Sequence, residues 1–273
     1  MQLATFLPPR AQRPLAGEVR GEHIVAFAGG ASVRDLLALD ALEPAGGRSW
    51  PLAEVRLLAP VPDPIAVYGI GVNYAAHAAE TGAGLPEVPI VFAKVAGSVA
   101  PPDGPIRCPE VVRRLDYEGE LCVVMGAAGR IAGYAVADDV SGRDLQRREP
   151  HWVRAKGADT FCPYGPWITT VDEVPDPQAL RLRTWVNGDL RQDSSTSDMV
   201  FGPPELADFI GQTCTLHPGD LILTGTPSGV GMASGRFLSD GDVVRIEIEK
   251  LGVIEHEVSG IGSQASRMAE PMA

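Results

Sequence analysis

Two apolar runs joined by a Gly-Ala-Ala-Gly turn constrain the fold of this chain more than any other stretch. Residues 115–125 read as one strand, and residues 131–137 read as a second strand that ends on two aspartates. Side chains two apart in a strand project from the same face, so Glu118 and Glu120 would point the same way. Strands that return past each other would bring Asp139 beside both glutamates. The sequence therefore predicts three converging carboxylates.

Whether these carboxylates are buried decides what they require. The spacing of Glu118 and Glu120 alone is equally compatible with the solvent face of an edge strand, but the apolar residues that follow favour a buried strand. Buried charges need partners, and three oxygen ligands suit Mg²⁺, Mn²⁺ or Ca²⁺ rather than zinc or copper. Gly119 between the glutamates suits the close approach of a ligand or of another part of the backbone.

Composition narrows the class of protein. The 273 residues are 45 % hydrophobic and 21 % charged, which is typical of a globular protein with one large domain or a large and a small one. The net charge of −12, from 35 acidic and 23 basic residues, argues against nucleic acid or an anionic membrane as a partner. The four cysteines form no CxxC pair, which argues against a structural zinc site.

The same features predict a cytoplasmic location. So few thiols in so long a chain favour a reducing compartment. The N-terminal residues contain no apolar stretch of signal-peptide length, and no segment reaches the roughly 18 apolar residues that span a bilayer.

The chain divides at a stiff connector. Residues 1–62 contain short strand patterns and one short helix, and Pro60, Pro62 and Pro64 alternate after them. This pattern predicts a small N-terminal domain followed by a main domain over 63–273. The alternative, an extra sheet layer packed on the main body, is equally compatible with the sequence.

The main domain reads as α+β and β-rich. A helix is expected over residues 75–81, ended by Gly82, and a second over 203–212. Asn187-Gly188 predicts a two-residue hairpin, and residues 151–167 read as a long irregular segment. The pattern is neither a regular βαβ alternation nor a helical bundle, and it does not reveal the strand order.

Two further groups carry potential chemistry. His77 and Glu80 are three apart on one helical face and would form a general-base pair, although such pairs more often lie on the surface. Lys156 in the irregular segment would stabilise charge on an oxygen, unless it is merely solvated. A dinucleotide-binding fingerprint is not supported, because Tyr74 occupies the position of its third glycine. Ser228 does not lie in a nucleophile elbow.

Six segments in order resemble the fumarylacetoacetate hydrolase family, in particular its small members such as acylpyruvate and fumarylpyruvate hydrolases. They lie within residues 65–258 and read GIGVNYAAHAAE, DYEGEL, GYAVADDVSGRDLQ, KGADTFCPYGP, VNGDLRQ and PGDLILTGTPSGVG. The resemblance implies a mixed β-sandwich roll preceded by the small N-terminal β-containing domain. It also implies a homodimer.

The resemblance implies a role for nine residues of this chain. Mg²⁺ or Mn²⁺, with Ca²⁺ also compatible, would be bound by a first group, which consists of Glu118, Glu120 and Asp139. Water activation and contact with the substrate near the metal would come from a second group, which consists of His77, Glu80 and Lys156. Further substrate contacts are implied for Arg143, Gln146 and Thr226.

Three positions depart from the family pattern. Gly142 replaces the usual alanine, Asp138 a common asparagine and Gly119 a usual aliphatic residue. None of them removes a metal ligand, but they leave the substrate fit and the local rigidity open.

The implied activity is metal-dependent hydrolysis of a C–C bond in a β-diketo acid of the acylpyruvate or fumarylpyruvate type, as in aromatic compound catabolism. The partner would be a small 2-oxo or 2-hydroxy-dienoic acid. The alternative is an isomerase or decarboxylase acting on 2-hydroxyhepta-2,4-diene-1,7-dioate-like or oxaloacetate-like substrates. His77 and Glu80 favour hydrolysis over decarboxylation, which needs no attacking water. A non-catalytic protein that kept the fold is disfavoured because the predicted metal ligands and the His/Glu pair are all present.

Overall fold

The computed structural model describes residues 1–39 and 41–260. The strands within these ranges are β1 (Gln2–Leu7), β2 (Leu15–Arg20), β3 (His23–Ala26), β4 (Ser49–Pro51), β5 (Arg56–Leu58), β6 (Val67–Gly71), β7 (Ile90–Lys94), β8 (Val99–Ala100), β9 (Ile106–Arg107), β10 (Leu115–Asp116), β11 (Gly119–Met125), β12 (Ile131–Asp138), β13 (Ser141–Gly142), β14 (Cys162–Thr170), β15 (Arg181–Val186), β16 (Asp189–Ser195), β17 (Leu221–Leu223), β18 (Val243–Ile248) and β19 (Gly252–Ser259). The α-helices are α1 (Val33–Leu37), α2 (Ala75–Thr81), α3 (Arg143–Arg148), α4 (Val153–Lys156), α5 (Pro203–Gly211) and α6 (Gly231–Ser234).

The strands form one large mixed sheet and one smaller sheet. The large sheet runs β4-β3-β2-β1-β14-β12-β11-β17-β6-β7, with β5 on β1 and β8 on β14. The smaller sheet runs β16-β15-β18-β19-β9, and β10 and β13 form a separate two-stranded sheet. The strand-rich, mixed-sheet architecture confirms the predicted α+β class and is that of the expected sandwich roll.

The predicted strand–turn–strand unit is the β11–β12 hairpin. Gly119 pairs with Asp138, and the Asp139 N–H donates to the Glu118 carbonyl at 2.9 Å. The prediction of one continuous strand over 115–125 was wrong, because β10 lies outside the large sheet and pairs with β13. The chain breaks from strand geometry at Glu118, whose N–H donates instead to the Asp138 carboxylate at 2.8 Å.

Strand β11 lies at the centre of the molecule and is buried on both faces. Leu121 and Val123 belong to the core shared with the smaller sheet, where Ile246 of β18 packs. Cys122 and Val124 face the opposite core, which contains residues of α1 and β17. A strand buried on both faces needs apolar side chains throughout, which explains why the run shows no alternation.

The N-terminal strands continue the large sheet. Leu3 of β1 pairs with Ile168 of β14 in antiparallel register. The Tyr164 hydroxyl donates to the Val61 carbonyl at 2.8 Å and accepts from the Val61 N–H at 2.6 Å. The division into domains at residue 62 stays a prediction.

The local sequence signals predicted some elements correctly and others incorrectly. Helix α2 ends at Gly82 in the left-handed region (φ 71°), as predicted. Asn187 and Gly188, both with positive φ, join β15 and β16 in the predicted hairpin. The prediction of an irregular segment over 151–167 was wrong, because these residues contain α4 and the start of β14. β14 is a strand because it pairs with β1 and β12, and those partners are distant in sequence.

Candidate active site

Three carboxylates converge where the β11–β12 hairpin opens. Glu118 precedes β11, Glu120 lies in it, and Asp139 follows β12, with one ligand oxygen from each within 4.8 Å of the others. The residues are 5 %, 1 % and 1 % exposed, which rules out the solvent face of an edge strand. We call these three residues the triad.

Basic side chains contact two members of the triad. Lys156, at the end of α4, donates to Glu118 and to Asp139 Oδ2, the latter at 2.6 Å. Lys94, at the end of β7, donates to Asp139 Oδ1, and Arg143 Nη2 donates to Glu118 at 2.5 Å. Lys156 therefore lies in the site on a helix rather than in a loop, and its ammonium holds two carboxylates together.

Glu118 is ionised despite its burial. Desolvation opposes the charge, but Arg143 and Lys156 outweigh it and hold the pKa of Glu118 well below its usual range. Burial alone would lower the pKa of Lys156, but the Asp139 and Glu118 carboxylates raise it. This part of the site is therefore a compensated ion cluster.

Glu120 is the uncompensated member of the triad. Burial raises its pKa well above the usual range, and Asp139 and Glu118 raise it further. Its carboxylate accepts the Gly225 N–H at 2.7 Å, and no lysine or arginine of the described residues pairs with it. A hard divalent cation bound by all three oxygens would remove this repulsion, so the residues fit the predicted metal. An all-oxygen set does not choose between Mg²⁺ and Mn²⁺.

The two residues predicted to form a general-base pair, His77 and Glu80, contact each other on α2. His77 Nδ1 lies 2.8 Å from Glu80 Oε1, and the His77 side chain is 8 % exposed. Both Glu80 oxygens accept the Gly229 N–H, at 3.1 and 3.0 Å. Gly229 has φ of 105°, and a Cβ there would lie 2.0 Å from the Arg191 carbonyl oxygen, so only glycine fits. The loop thereby fixes the carboxylate that orients the imidazole.

Most of the predicted site residues line one cleft. Its volume is about 410 Å³, and the predicted residues that line it are His77, Glu118, Glu120, Arg143, Gln146, Lys156 and Thr226. Glu80 and Asp139 touch members of this set from outside the lining. Segments almost 150 residues apart in sequence, from His77 to Thr226, therefore form a single site.

Arg143 is anchored by protein groups. Its Nε donates to Asp116 at 2.8 Å, and its Nη1 donates to Gln146 at 2.9 Å, in addition to the bond with Glu118. Asp116 also accepts two backbone N–H groups at the start of α6. Arg143 therefore fixes Glu118 and Gln146 in the cleft wall.

Thr226 is anchored in a similar way. Its hydroxyl donates to the Gly119 carbonyl at 3.0 Å and accepts from Gln192 Nε2 at 2.8 Å. These bonds tie the loop after β17 to the start of β11, beside the triad.

Several residues that support the site were not predicted from the sequence. Lys94 ends an apolar run, and Asp116 adjoins the glutamate motif, so both had a weak local signal. Asp138 was identified only as a departure from a common asparagine, but its carboxylate pairs with buried His256 Nε2 at 2.9 Å. His256, which lies more than 100 residues away, had no local signal.

Comparisons with known proteins agree on one family. The profile described as fumarylacetoacetate (FAA) hydrolase C-terminal matches residues 66–259. Protein Rv2993c of Mycobacterium tuberculosis is 46 % identical over 223 residues, covering 78 % of this chain and 82 % of its own length. A mitochondrial oxaloacetate tautomerase of Xenopus laevis is 43 % identical over 220 residues, covering 76 % and 69 %.

A solved structure extends the similarity to almost the whole chain. The 5-carboxymethyl-2-hydroxymuconate delta-isomerase from Mycobacterium smegmatis superposes with a TM-score of 0.81 at 38 % identity, covering 95 % of this chain and 99 % of that one.

Proposed function

Because this chain belongs to the fumarylacetoacetate hydrolase family, we propose that it is a divalent-metal-dependent enzyme that acts on a small 2-oxo acid through its enolate. The observation that carries the proposal is the shared cleft. The triad and the His77–Glu80 pair meet there, so a cation site and a general base face the same volume. An enolate needs both a base to form it and positive charge to stabilise it.

The triad, Lys156 and the His77–Glu80 pair would have separate roles in the reaction. A divalent cation held by the triad would act as a Lewis acid on the substrate oxygens. Lys156, fixed against Glu118 and Asp139, adds positive charge at the same place. Glu80 holds the His77 ring by Nδ1, which leaves the other ring nitrogen to take or give a proton.

Hydrolysis of an acylpyruvate-type β-diketo acid is the first candidate reaction. His77 takes a proton from water as the water oxygen bonds to the distal carbonyl carbon. The C–C bond then breaks, and its electron pair passes to the enolate of the departing 2-oxo acid. That enolate takes the proton back from His77, so one water is consumed and two acids are formed.

Proton relocation is the second candidate, and the names of two similar proteins support it. The Xenopus relative is named a tautomerase, and the Mycobacterium smegmatis structure is named an isomerase. In this reaction His77 removes a proton from one atom of an oxaloacetate-like or 2-hydroxy-dienedioate-like acid and returns it to another. No water is consumed, and the carbon skeleton stays intact.

A substrate panel separates the candidates. The metal-stripped protein, with and without Mg²⁺ or Mn²⁺, is given oxaloacetate, acetylpyruvate and fumarylpyruvate, and products are identified by mass spectrometry and by NMR, which distinguishes a new isomer from unreacted substrate. Cleavage that adds water supports hydrolysis, and a product of unchanged mass supports proton relocation. Release of CO₂ indicates decarboxylation. Turnover that survives removal of the metal, or no turnover of any compound, contradicts the proposal.

A matched pair of histidine variants tests the base. We expect His77→Gln to lower kcat by about 100-fold or more, the range for a positioned general base. His151→Gln serves as the control because His151 is exposed and does not line the cleft. Equal activity of the two variants would remove His77 from the mechanism.

The expected homodimer and cytoplasmic location stay predictions. No helix within the described ranges is long and apolar enough to cross a membrane. The Xenopus relative is named as mitochondrial, which describes that protein.

A further inference from the structure

Helix α3 presents successive polar side chains to the cleft. Arg143, Gln146 and Arg147 all line it. Residues three and four apart share one face of a helix, so the three form one stripe. Arg143 is buried, Gln146 is partly buried and Arg147 is exposed. The stripe therefore leads from the triad to the mouth of the cleft.

The two arginines of this stripe differ in whether their guanidinium groups already have protein partners. The Arg143 guanidinium is occupied by Asp116, Glu118 and Gln146. Arg147 makes no hydrogen bond or ion pair in the part of the chain that the structure describes. A guanidinium that lines a ligand cleft without a protein partner is free to bind an anionic group of the ligand.

The charge of the inner site points to the same kind of ligand. Its interacting side chains are four carboxylates and three cations, namely Asp116, Glu118, Glu120 and Asp139 with Lys94, Arg143 and Lys156. Asp138 is left out because it pairs with His256. Glu80, which pairs with His77, adds a fifth carboxylate, so with all of these carboxylates ionised the net charge is −2. A divalent cation brings it to 0, and Arg147 makes it +1, a charge that favours an anionic ligand.

We propose that Arg147 is a specificity-determining residue that selects 2-oxo acids carrying a second carboxylate, an inference that rests on the proposed function. The 2-oxo acid end would lie at the triad, and the distal carboxylate would pair with Arg147. One helical turn, about 6 Å at 1.5 Å per residue, separates Arg147 from Arg143 along α3. A carbon chain of a few atoms bridges that distance.

Two aromatic rings suit the carbon chain of such an acid. Phe92 and Trp152 line the cleft and meet edge to face, with ring centroids 5.3 Å apart. Lys156 Nζ lies 5.2 Å from the Phe92 centroid, so this apolar wall begins beside the triad. Rings of this kind pack against hydrocarbon rather than against a carboxylate.

A structural role for Arg147 is the competing explanation. A basic residue in the last turn of a helix interacts favourably with the helix dipole. Arg148 occupies the same last turn and is exposed, but it does not line the cleft. Arg148→Gln is therefore the matched control, because it removes the same charge from the same turn.

Binding of two five-carbon probes tests the proposal without requiring turnover. We measure Kd by titration calorimetry with Mg²⁺ for 2-oxoglutarate, which has a second carboxylate, and for 2-oxopentanoate, which lacks one. Wild type is expected to prefer 2-oxoglutarate by about tenfold, the scale of one charge-assisted pair at a partly exposed site. Arg147→Gln should bring the two Kd values close together, whereas Arg148→Gln should keep the preference.

Three results would overturn the inference. The first is no preference in wild type, which includes the case in which neither probe binds. The second is an equal loss of affinity for both probes in Arg147→Gln. The third is the same loss of preference in Arg148→Gln. The proposed function fails separately. If 2-oxoglutarate binds through Arg147 but no compound of the substrate panel is turned over, the selectivity stands and the enzyme assignment does not.

Discussion

Glu120 differs from its two neighbours in the triad because no basic side chain within the described ranges contacts it. Glu118 contacts Arg143 and Lys156, and Asp139 contacts both Lys156 and Lys94. Three carboxylates at this separation repel one another, and the two lysines and Arg143 offset the charge at only two of them. The residue that most needs a metal ion is therefore Glu120.

Glu120 should make the metal-free protein less stable as pH rises. The pKa of Glu120 is raised above its usual value of 4.5 in the folded state. A raised acid pKa means that the folded state holds the proton more tightly than the unfolded chain does. Its contribution to stability is therefore complete below pH 4.5 and is lost as pH rises through the folded pKa. We expect Glu120→Gln to remove this loss and to be the more stable protein at pH 7.

Urea unfolding of wild type and Glu120→Gln across this pH range, both without metal, measures the difference. Glu87→Gln is the control because Glu87 is exposed. Adding Mn²⁺ should raise the Tm of wild type, as a ligand of the native state must, but should raise that of Glu120→Gln far less. A wild type that stays the more stable at pH 7 without metal would contradict this account.

The close approach of the two sheets explains the glycine between the glutamates. A Cβ on Gly119 would lie 2.4 Å from Thr184 Oγ1 and 3.2 Å from Gln192 Oε1. Thr184 belongs to β15 and Gln192 to β16, so the space is filled by the smaller sheet rather than by a ligand. The same approach gives Gln192 its bond to Thr226.

Gly119→Ala should therefore lower the free energy of unfolding by about 1–3 kcal/mol, the usual range for overpacking a core. It should also lower activity, since β11 carries Glu120. Gly211→Ala is the control: a Cβ there meets nothing within 4 Å, and Gly211 lies at the end of α5. Urea unfolding compares the two variants. Equal stabilities would show that the sheets can separate without loss.

The N-terminal strands and the site share one sheet. β14 lies between β1 and β12, and β12 leads directly into Asp139. Removing residues 1–62 would expose the edge of β14 and leave the Tyr164 hydroxyl without Val61. An exposed sheet edge promotes association with other chains.

We expect the fragment 63–273 to show a lower Tm than the full chain and to aggregate. Light scattering and thermal unfolding, with the full chain as reference, measure both properties. A fragment that stays monodisperse with an unchanged Tm would instead support a separate N-terminal domain ending at residue 62.

Local patterns determined the parts of the site that are close together in sequence. The β11–β12 hairpin, the His77–Glu80 helix and its Gly82 end follow from periodicity, turn chemistry and helix-stop signals. The order of six segments determined the family. These features depend on neighbours a few residues away, so the sequence alone contains them.

The tertiary structure decided which distant groups meet. Lys94 and His256 reach Asp139 and Asp138 only because strands far apart in sequence pack beside the β11–β12 hairpin. The strand character of β14 likewise depends on β1 and β12. Electrostatic compensation and sheet pairing depend on distances through space, which local sequence does not encode. The sequence therefore predicted the acids of the site, and the fold determined which of them are neutralised.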